Sequence, residues 1–285
     1  MVSEEFFVRR KAEEIQFGAG KNTAGRHNPP ETSMNAYSLK GKIALITGAS
    51  KGLGRAMAAT LAEAGADLVL VSRNREQLEE TARAARAFGV KALVHQADVT
   101  NEAQIARLAE AVTTEAGVPH ILINNAGINI RKPLVEFSSS EWRQVLDTNL
   151  TSVFLMCRYF VPQMKGRRYG RIINLTSTMS HVAIAGRTAY CASKTGLLGL
   201  IRALALELAP DGITVNGISP GPFATEMNVP LMQNPEMNRQ FLAATPLGRW
   251  GDPRDIGQLA LYLCSDDAGF ITGTDIVVDG GWTAR

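Results

Sequence analysis

Tyr190 and Lys194 stand four residues apart in "TAYCASKTGL" (Thr188–Leu197), among small residues. Four residues make about one helical turn, so on a helix a phenol and an ammonium share one face. A free tyrosine titrates near pKa ~10, too high for ready proton exchange at neutral pH. A fixed positive charge nearby favours the phenolate and brings that value down. The pair therefore fits an acid–base device. It also fits a half-buried tyrosine covered by a lysine stem, so other segments must decide.

A second chemical segment is "LITGASKGLGRAMA", a strand-like run, a glycine turn and a helix start. Gly48, Gly52 and Gly54 have the spacing G-x-x-x-G-x-G, which differs from the G-x-G-x-x-G dinucleotide fingerprint but serves the same physics. Glycines allow a tight turn and close backbone approach, and the free N–H groups of the helix start face a pyrophosphate. A plain strand-to-helix turn needs fewer glycines.

The next apolar run ends "VLVSRNREQ", with Ser72 and Arg73 where dinucleotide folds usually carry an acid for the ribose hydroxyls. Arg73 is expected to open the following helix, where a cation opposes the macrodipole. A 2′-phosphate would account for it, with Lys51 as a second cation, so NADP is favoured over NAD. "ADVT" (Ala97–Thr100) and "NNAG" (Asn124–Gly127) close two further runs. Asp98 is suited equally to capping the next helix and to touching an adenine. Asn125 and Gly127 let the backbone approach a ligand.

These segments need a scaffold, and the chain supplies one. It has 285 residues, 45% hydrophobic and 20% charged, as in an ordinary globular protein. A net charge of +3 without a long basic tract argues against nucleic acid as a partner. The apolar stretch "GLLGLIRALALELA" is interrupted by Arg202 and Glu207, so it suits a buried helix and not a membrane span. Cys157, Cys191 and Cys264 are too scattered for a metal site or a disulfide framework. That usage fits a reducing compartment, and a cytoplasmic location is expected. Cys191 follows Tyr190, but no histidine is placed by sequence to activate it.

From Gly41 onward, strand-length runs alternate with helix-length amphipathic segments. The runs are "KIALITG", "DLVLVSR", "ALVHQADV", "HILINNAG", "RIINLTS", "ITVNGIS" and "DIVVDGG". They are continuously apolar, as in strands buried on both faces. Helices are expected over Leu53–Ala64, Arg75–Phe88 and Glu102–Glu115. The pattern predicts an α/β fold, a Rossmann-type doubly wound parallel sheet of about seven strands. Ligands of such sheets bind beyond the carboxyl ends of the strands, where every segment above falls. Residues 1–40, rich in charge, Gly, Asn and Pro and without a secretory h-region, are expected to form an N-terminal arm, with the catalytic domain over 41–285.

In order and spacing these motifs resemble the short-chain dehydrogenase/reductase family. The motifs are "TGASKGLG", "NNAG", Asn149 in "DTNL", Ser177 in "NLTST", "YCASK" and "SPGP" (Ser219–Pro222). The resemblance implies a catalytic set of Asn149, Ser177, Tyr190 and Lys194. Tyr190 would exchange the proton of the substrate oxygen, and Ser177 would hold that oxygen. Lys194 would bind the nicotinamide ribose and lower the Tyr190 pKa, while Asn149 would anchor a water linking Lys194 to solvent. It implies NADP held by Gly48, Ser50, Lys51, Gly52, Leu53, Gly54, Arg73, Asp98, Val99, Asn125, Gly127, Tyr190, Lys194, Pro220, Gly221, Phe223 and Thr225, with no metal.

Substrate selection is expected in a mobile lid from Pro220 to about Thr245, in the loop after "NNAG" and around His181. Arg131 and Lys132, and Ser177 with His181, are the candidate substrate contacts. Pro133 fixes the backbone and pulls Lys132 extended, which would aim one of the two cations inward; the alternative is an ordinary solvated basic loop. "NAGINIRKPLVEF" and "PLGRWGDP" resemble the gluconate 5-dehydrogenases, which act on sugar acids. The 3-oxoacyl-carrier-protein reductases are the alternative, and an NADP-binding regulatory or scaffold protein is an alternative of another class. The family implies a homotetramer joined through Glu141–Lys165, Thr188–Ala209 and the last strand.

Overall fold

The computed structural model describes residues 37–284, so an arm over residues 1–36 lies outside the described residues. Residues 37–40, expected in that arm, are instead anchored to the domain. Leu39 is buried in the core and its amide donates to the Ala64 carbonyl at 2.8 Å. Tyr37 packs against Tyr262 with ring centroids 5.5 Å apart. The physical reason is apolar surface: Tyr37 and Leu39 carry it, and it is removed from water here.

Every expected strand is present: β1 (Ile43–Thr47), β2 (Asp67–Ser72), β3 (Ala92–Gln96), β4 (Ile121–Asn124), β5 (Gly170–Leu175), β6 (Ile213–Pro220) and β7 (Asp275–Val278). They form one parallel sheet in the order β3-β2-β1-β4-β5-β6-β7. Strand side chains alternate between two cores. Ala44 and Ile46 of β1 enter one core while Leu45 enters the other, and Leu68 and Leu70 of β2 oppose Val69 and Val71 in the same way. Both faces are covered, which is why these strands read as unbroken apolar runs.

One layer contains α1 (Gly52–Glu63), α2 (Arg75–Arg86) and, later in the chain, Pro253–Cys264. Met57, Leu61, Leu78 and Ile256 fill its side of the sheet. The opposite side takes Ile105 and Leu108 of α3 (Glu102–Glu115) together with Phe160, Leu197 and Ile201. The long helix expected over Glu141–Lys165 is broken in register. It comprises α4 (Ser139–Leu146), a π-turn (Asp147–Thr151) and α5 (Ser152–Met164). A π-turn inserts one residue per turn and re-aims its side chains, and such insertions concentrate at functional sites. Next comes α6 (Thr188–Leu208), the helix expected for Tyr190 and Lys194.

The strand order reverses between β1 and β4. That reversal opens a crevice at the carboxyl end of the sheet, the place where such folds take a ligand. A cavity of about 500 Å³ lies there. Across it run a 3-10 turn (Glu226–Asn228), α7 (Val229–Met232) and α8 (Pro235–Ala244), none with a buried residue. Then follows α9 (Pro253–Cys264), started by an Asp252/Asp255 capping box. Among the described residues no helix is long and apolar enough to cross a membrane.

Candidate active site

The glycine turn begins at Gly48, which has a left-handed φ of 64°. A Cβ there would lie 2.8 Å from the Asn125 amide nitrogen, and one at Gly54 would collide with the Gly48 carbonyl and that same amide. Asn125 Nδ2 donates to the carbonyls of Thr47 (2.9 Å) and Gly48 (3.1 Å), while its backbone N donates to Thr47 Oγ1 (3.0 Å). The asparagine of "NNAG" thus fastens the end of β4 to the turn after β1. The N-cap of α1 is Lys51, whose side chain caps nothing. The first N–H groups of this helix therefore need an outside acceptor, and a pyrophosphate suits them.

At the end of β2, Ser72 Oγ accepts from the Asn74 amide at 3.2 Å, and Gln96 Nε2 donates to the Arg73 carbonyl at 3.0 Å. Arg73 does not open α2. Asn74 is the N-cap, accepting from the Gln77 amide at 3.0 Å, and Arg73 lies just outside the helix. An Asx side chain wins this cap because its oxygen can accept from the backbone, which a guanidinium cannot. The backbone of Arg73 is held while its side chain lies on the cavity with Lys51, and both residues are exposed. Two cations and a serine, in place of an acid, fit a 2′-phosphate. Asp98 also leaves the cap to a neighbour: its Oδ1 accepts from Thr100 N and Oγ1, and Asn101 caps α3. Asp98 and Val99 both line the cavity.

At the other end, α6 brings Tyr190 and Lys194 against the loop after β5. Lys194 is buried and its Nζ donates to the Leu175 carbonyl. Burial holds its pKa down to about 8, against the opposing pull of Asp275. Ser177 is buried at the end of β5, its Oγ accepting from the Met179 amide at 3.1 Å and facing the Tyr190 phenol. Burial raises the Tyr190 pKa, and Ser177, Arg187 and Arg131 pull it back. The arginines, and not Lys194, are therefore the cations that act on the phenol here. The Lys194 ammonium is turned to Leu175 and lies 5.8 Å from the Tyr190 ring centre.

Asn149 occupies the π-turn and is fully buried. Its Nδ2 donates to the Ile128 carbonyl (2.9 Å) and Ser193 Oγ (3.0 Å), and its Oδ1 accepts from the Ile128 amide (2.8 Å). A Cβ at Gly127 would lie 3.3 Å from Asn149 Oδ1 and 3.6 Å from Lys194 Nζ, so glycine keeps that corner open. Behind Ser177, the mostly buried Asp275 accepts from Thr176 Oγ1 and Ser219 Oγ, each at 2.6 Å. These bonds fasten the residue before Ser177 to the ends of β6 and β7.

The cavity wall contains most of the expected residues: Gly48, Ser50, Lys51, Gly52, Leu53, Arg73, Asp98, Val99, Asn125, Gly127, Arg131, Ser177, Tyr190, Lys194, Pro220, Gly221, Phe223 and Thr225. Gly54 and Asn149 stand behind the wall as supports. Two expected substrate contacts are elsewhere. Lys132 pairs with Glu141 at 2.6 Å, and that carboxylate also closes the Ser138 capping box of α4. His181 binds Asp275 Oδ2 through Nε2 at 2.6 Å. Each finds a carboxylate that holds it away from the cavity. Among the lining residues that were missed, Arg187, at the N-cap of α6, is the charged one nearest Tyr190 in sequence. Its signal in "AGRTAYC" is a cation at a helix start, the same feature that singles out Arg73.

A parallel sheet wound in this order, with a buried phenol and lysine beside its glycine turn, accords with a class: oxidoreductases that act on CH–OH groups with a nicotinamide. The chain belongs to the short-chain dehydrogenase/reductase family. A family model described as enoyl-(acyl carrier protein) reductase matches residues 48–283. The chain is 40% identical over 256 residues to 2-dehydro-3-deoxy-D-gluconate 5-dehydrogenase of Dickeya dadantii, covering 88% of this chain and 99% of that one. It is also 40% identical over 243 residues to a 3-oxoacyl-acyl-carrier-protein reductase of Haemophilus influenzae, covering 85% and 98%. A crystal structure of gluconate 5-dehydrogenase from Burkholderia cenocepacia, in complex with NADP and tartrate, superposes with a TM-score of 0.84 at 34% identity, covering 89% of this chain and all of that one.

Proposed function

We propose that this protein transfers a hydride between NADP(H) and the secondary alcohol or ketone of a sugar acid or related polyol, as a gluconate 5-dehydrogenase does. The carrying observation is one cavity at the carboxyl end of the sheet, lined by the Tyr190 phenol, the Ser177 hydroxyl and Arg131.

The nicotinamide supplies and accepts the hydride. Ser177 donates a hydrogen bond to the substrate oxygen. Tyr190 gives its proton to that oxygen during reduction, and its phenolate takes the alcohol proton during oxidation. Burial favours the neutral phenol, so reduction suits neutral pH and oxidation gains as pH rises. Lys194 would hold the ribose hydroxyls of the bound cofactor, and its charge would favour the phenolate if it turned from the Leu175 carbonyl toward Tyr190. Asn149 uses both N–H groups internally, and a remaining lone pair of its Oδ1 is free for the water that links Lys194 to solvent.

Preference for NADP is supported by Arg73 and Lys51 beside Ser72, and the Burkholderia relative was crystallised with NADP. The tartrate in that crystal is an anion, which accords with a sugar acid. A second reading, reduction of 3-oxoacyl thioesters, is favoured by an equal 40% identity to the Haemophilus enzyme. A homotetramer is supported by apolar Phe154 on α5, Leu206 on α6 and Val277 on β7, all exposed on the elements expected to join subunits.

Tyr190→Phe tests the chemistry, because it removes only the transferable proton. Turnover is expected to fall by ~10²–10⁴ while NADP affinity, read by fluorescence titration, stays near wild type. A variant retaining more than about a tenth of the activity would contradict the role, since that loss lies well below this range.

A further inference from the structure

We propose that Arg187 selects the substrate's charge: with Arg131 it forms a two-guanidinium clamp for a carboxylate beside Tyr190. The proposal rests on the reading of this cavity as the place where a substrate alcohol or ketone reacts.

Arg187 occupies an electrostatically costly position. It is the N-cap of a 21-residue helix and makes no side-chain cap. A cation there opposes the positive end of the helix dipole, an effect typically of ~0.3–1 kcal/mol. Its side chain is partly buried on the cavity wall, and burial and then Arg131 depress its pKa. Among the described residues its guanidinium has no hydrogen-bond or ion-pair partner. Arg131 has only the neutral Asn228 Oδ1, at 3.4 Å. The surface cation Lys132 shows the contrast, two positions before Leu134 in the same loop, with Glu141 at 2.6 Å.

No acid on the cavity wall relieves the pair. Asp98 holds Thr100 at the end of β3, and Glu226 faces Gly52 in the glycine turn. A half-buried Arg187 beside an exposed Arg131, two cations that repel one another without a counter-ion, is stabilised by an anion between them. Arginine suits the place because its guanidinium keeps its charge when partly buried and matches both oxygens of a carboxylate. The distance scale also fits. Arg187 precedes Tyr190 by three residues on the same helix face, and both arginines act on its phenol. The bound carboxylate and the reacting carbon therefore belong to one short molecule. An acyl thioester carries no carboxylate near its reacting carbon, so the test includes one.

The full chain is assayed with NADP(H) on an aldonate, a neutral polyol of the same length and acetoacetyl-coenzyme A. Arg187→Gln is expected to lower the aldonate-to-polyol ratio of kcat/KM by about tenfold or more, equivalent to ~1.4 kcal/mol, and Arg187→Lys to restore part of it. If both substrates lose equally, Arg187 has a structural role and the clamp is overturned. Calorimetry of tartrate with the cofactor-free protein gives a reading independent of turnover. Binding should weaken about tenfold in both Arg187→Gln and Arg131→Gln, and unchanged binding in folded variants overturns the proposal. If the wild type acts only on acetoacetyl-coenzyme A, the sugar-acid reading fails. Tartrate binding that does not depend on Arg187 would then overturn the clamp as well, while Arg187-dependent binding would support a clamp for a short carboxylate.

Discussion

At Tyr190 opposing influences meet on one oxygen. Burial holds the phenol neutral, and Ser177 and two arginines favour the phenolate. Lys194 is under similar tension, buried enough to bring its pKa to about 8 yet drawn back by Asp275. Perturbed titrating groups of this kind cluster where protons are moved. Arg73 tests the other end of the cavity. Arg73→Ala should weaken NADP by about 10- to 150-fold relative to NAD, because a charge-assisted phosphate contact contributes roughly 1.5–3 kcal/mol. Lys51 would retain part of the preference. Titration of both cofactors reads the ratio, and equal losses would leave Arg73 with no part in the choice.

The elements that position these residues were largely legible. All seven strands announce themselves as apolar runs because helices cover both faces, so no alternation interrupts them. The small-residue helix from Thr188 carries Tyr190 and Lys194 where the four-residue spacing puts them. What escaped depends on partners distant in sequence. His181 meets Asp275 across 94 positions, and no local pattern links the two. Lys132 finds Glu141 because α4 starts just beyond the Pro133 turn, and its capping box fixes that carboxylate within reach. The π-turn at Asp147–Thr151 is silent in the sequence, since one extra residue per turn leaves the apolar pattern on both sides unaltered. The segments over the cavity bury nothing, so burial periodicity could not mark their bounds. Arg187 was legible in principle, by the same dipole argument applied to Arg73.

For the whole molecule, buried groups set an alkaline stability profile, and below pH 10 three of them dominate it. Lys194 titrates near 8 when folded and near its ordinary 10.5 when unfolded. Between those values the unfolded chain holds the extra proton, so stability rises with pH. Buried Cys157 and Cys264 are pushed from their ordinary 9 up to about 12, chiefly by desolvation. Above pH 9 the folded state keeps two protons that the unfolded chain has released, so stability falls, and two thiols outweigh one amine. The cofactor-free protein should therefore change little in stability from pH 8 to 9, where amine and thiols nearly offset, and lose it above, by on the order of 1 kcal/mol per pH unit. Denaturant midpoints at pH 8, 9 and 10 check this, and a steady rise through pH 10 would contradict it. What the whole molecule turns over is read most directly as the wild-type kcat/KM, followed as NADPH formed or consumed, for an aldonate against an acetoacetyl thioester. The expected result is the larger value for the aldonate, with NADP preferred to NAD. Turnover of the thioester alone, or of neither, would contradict it.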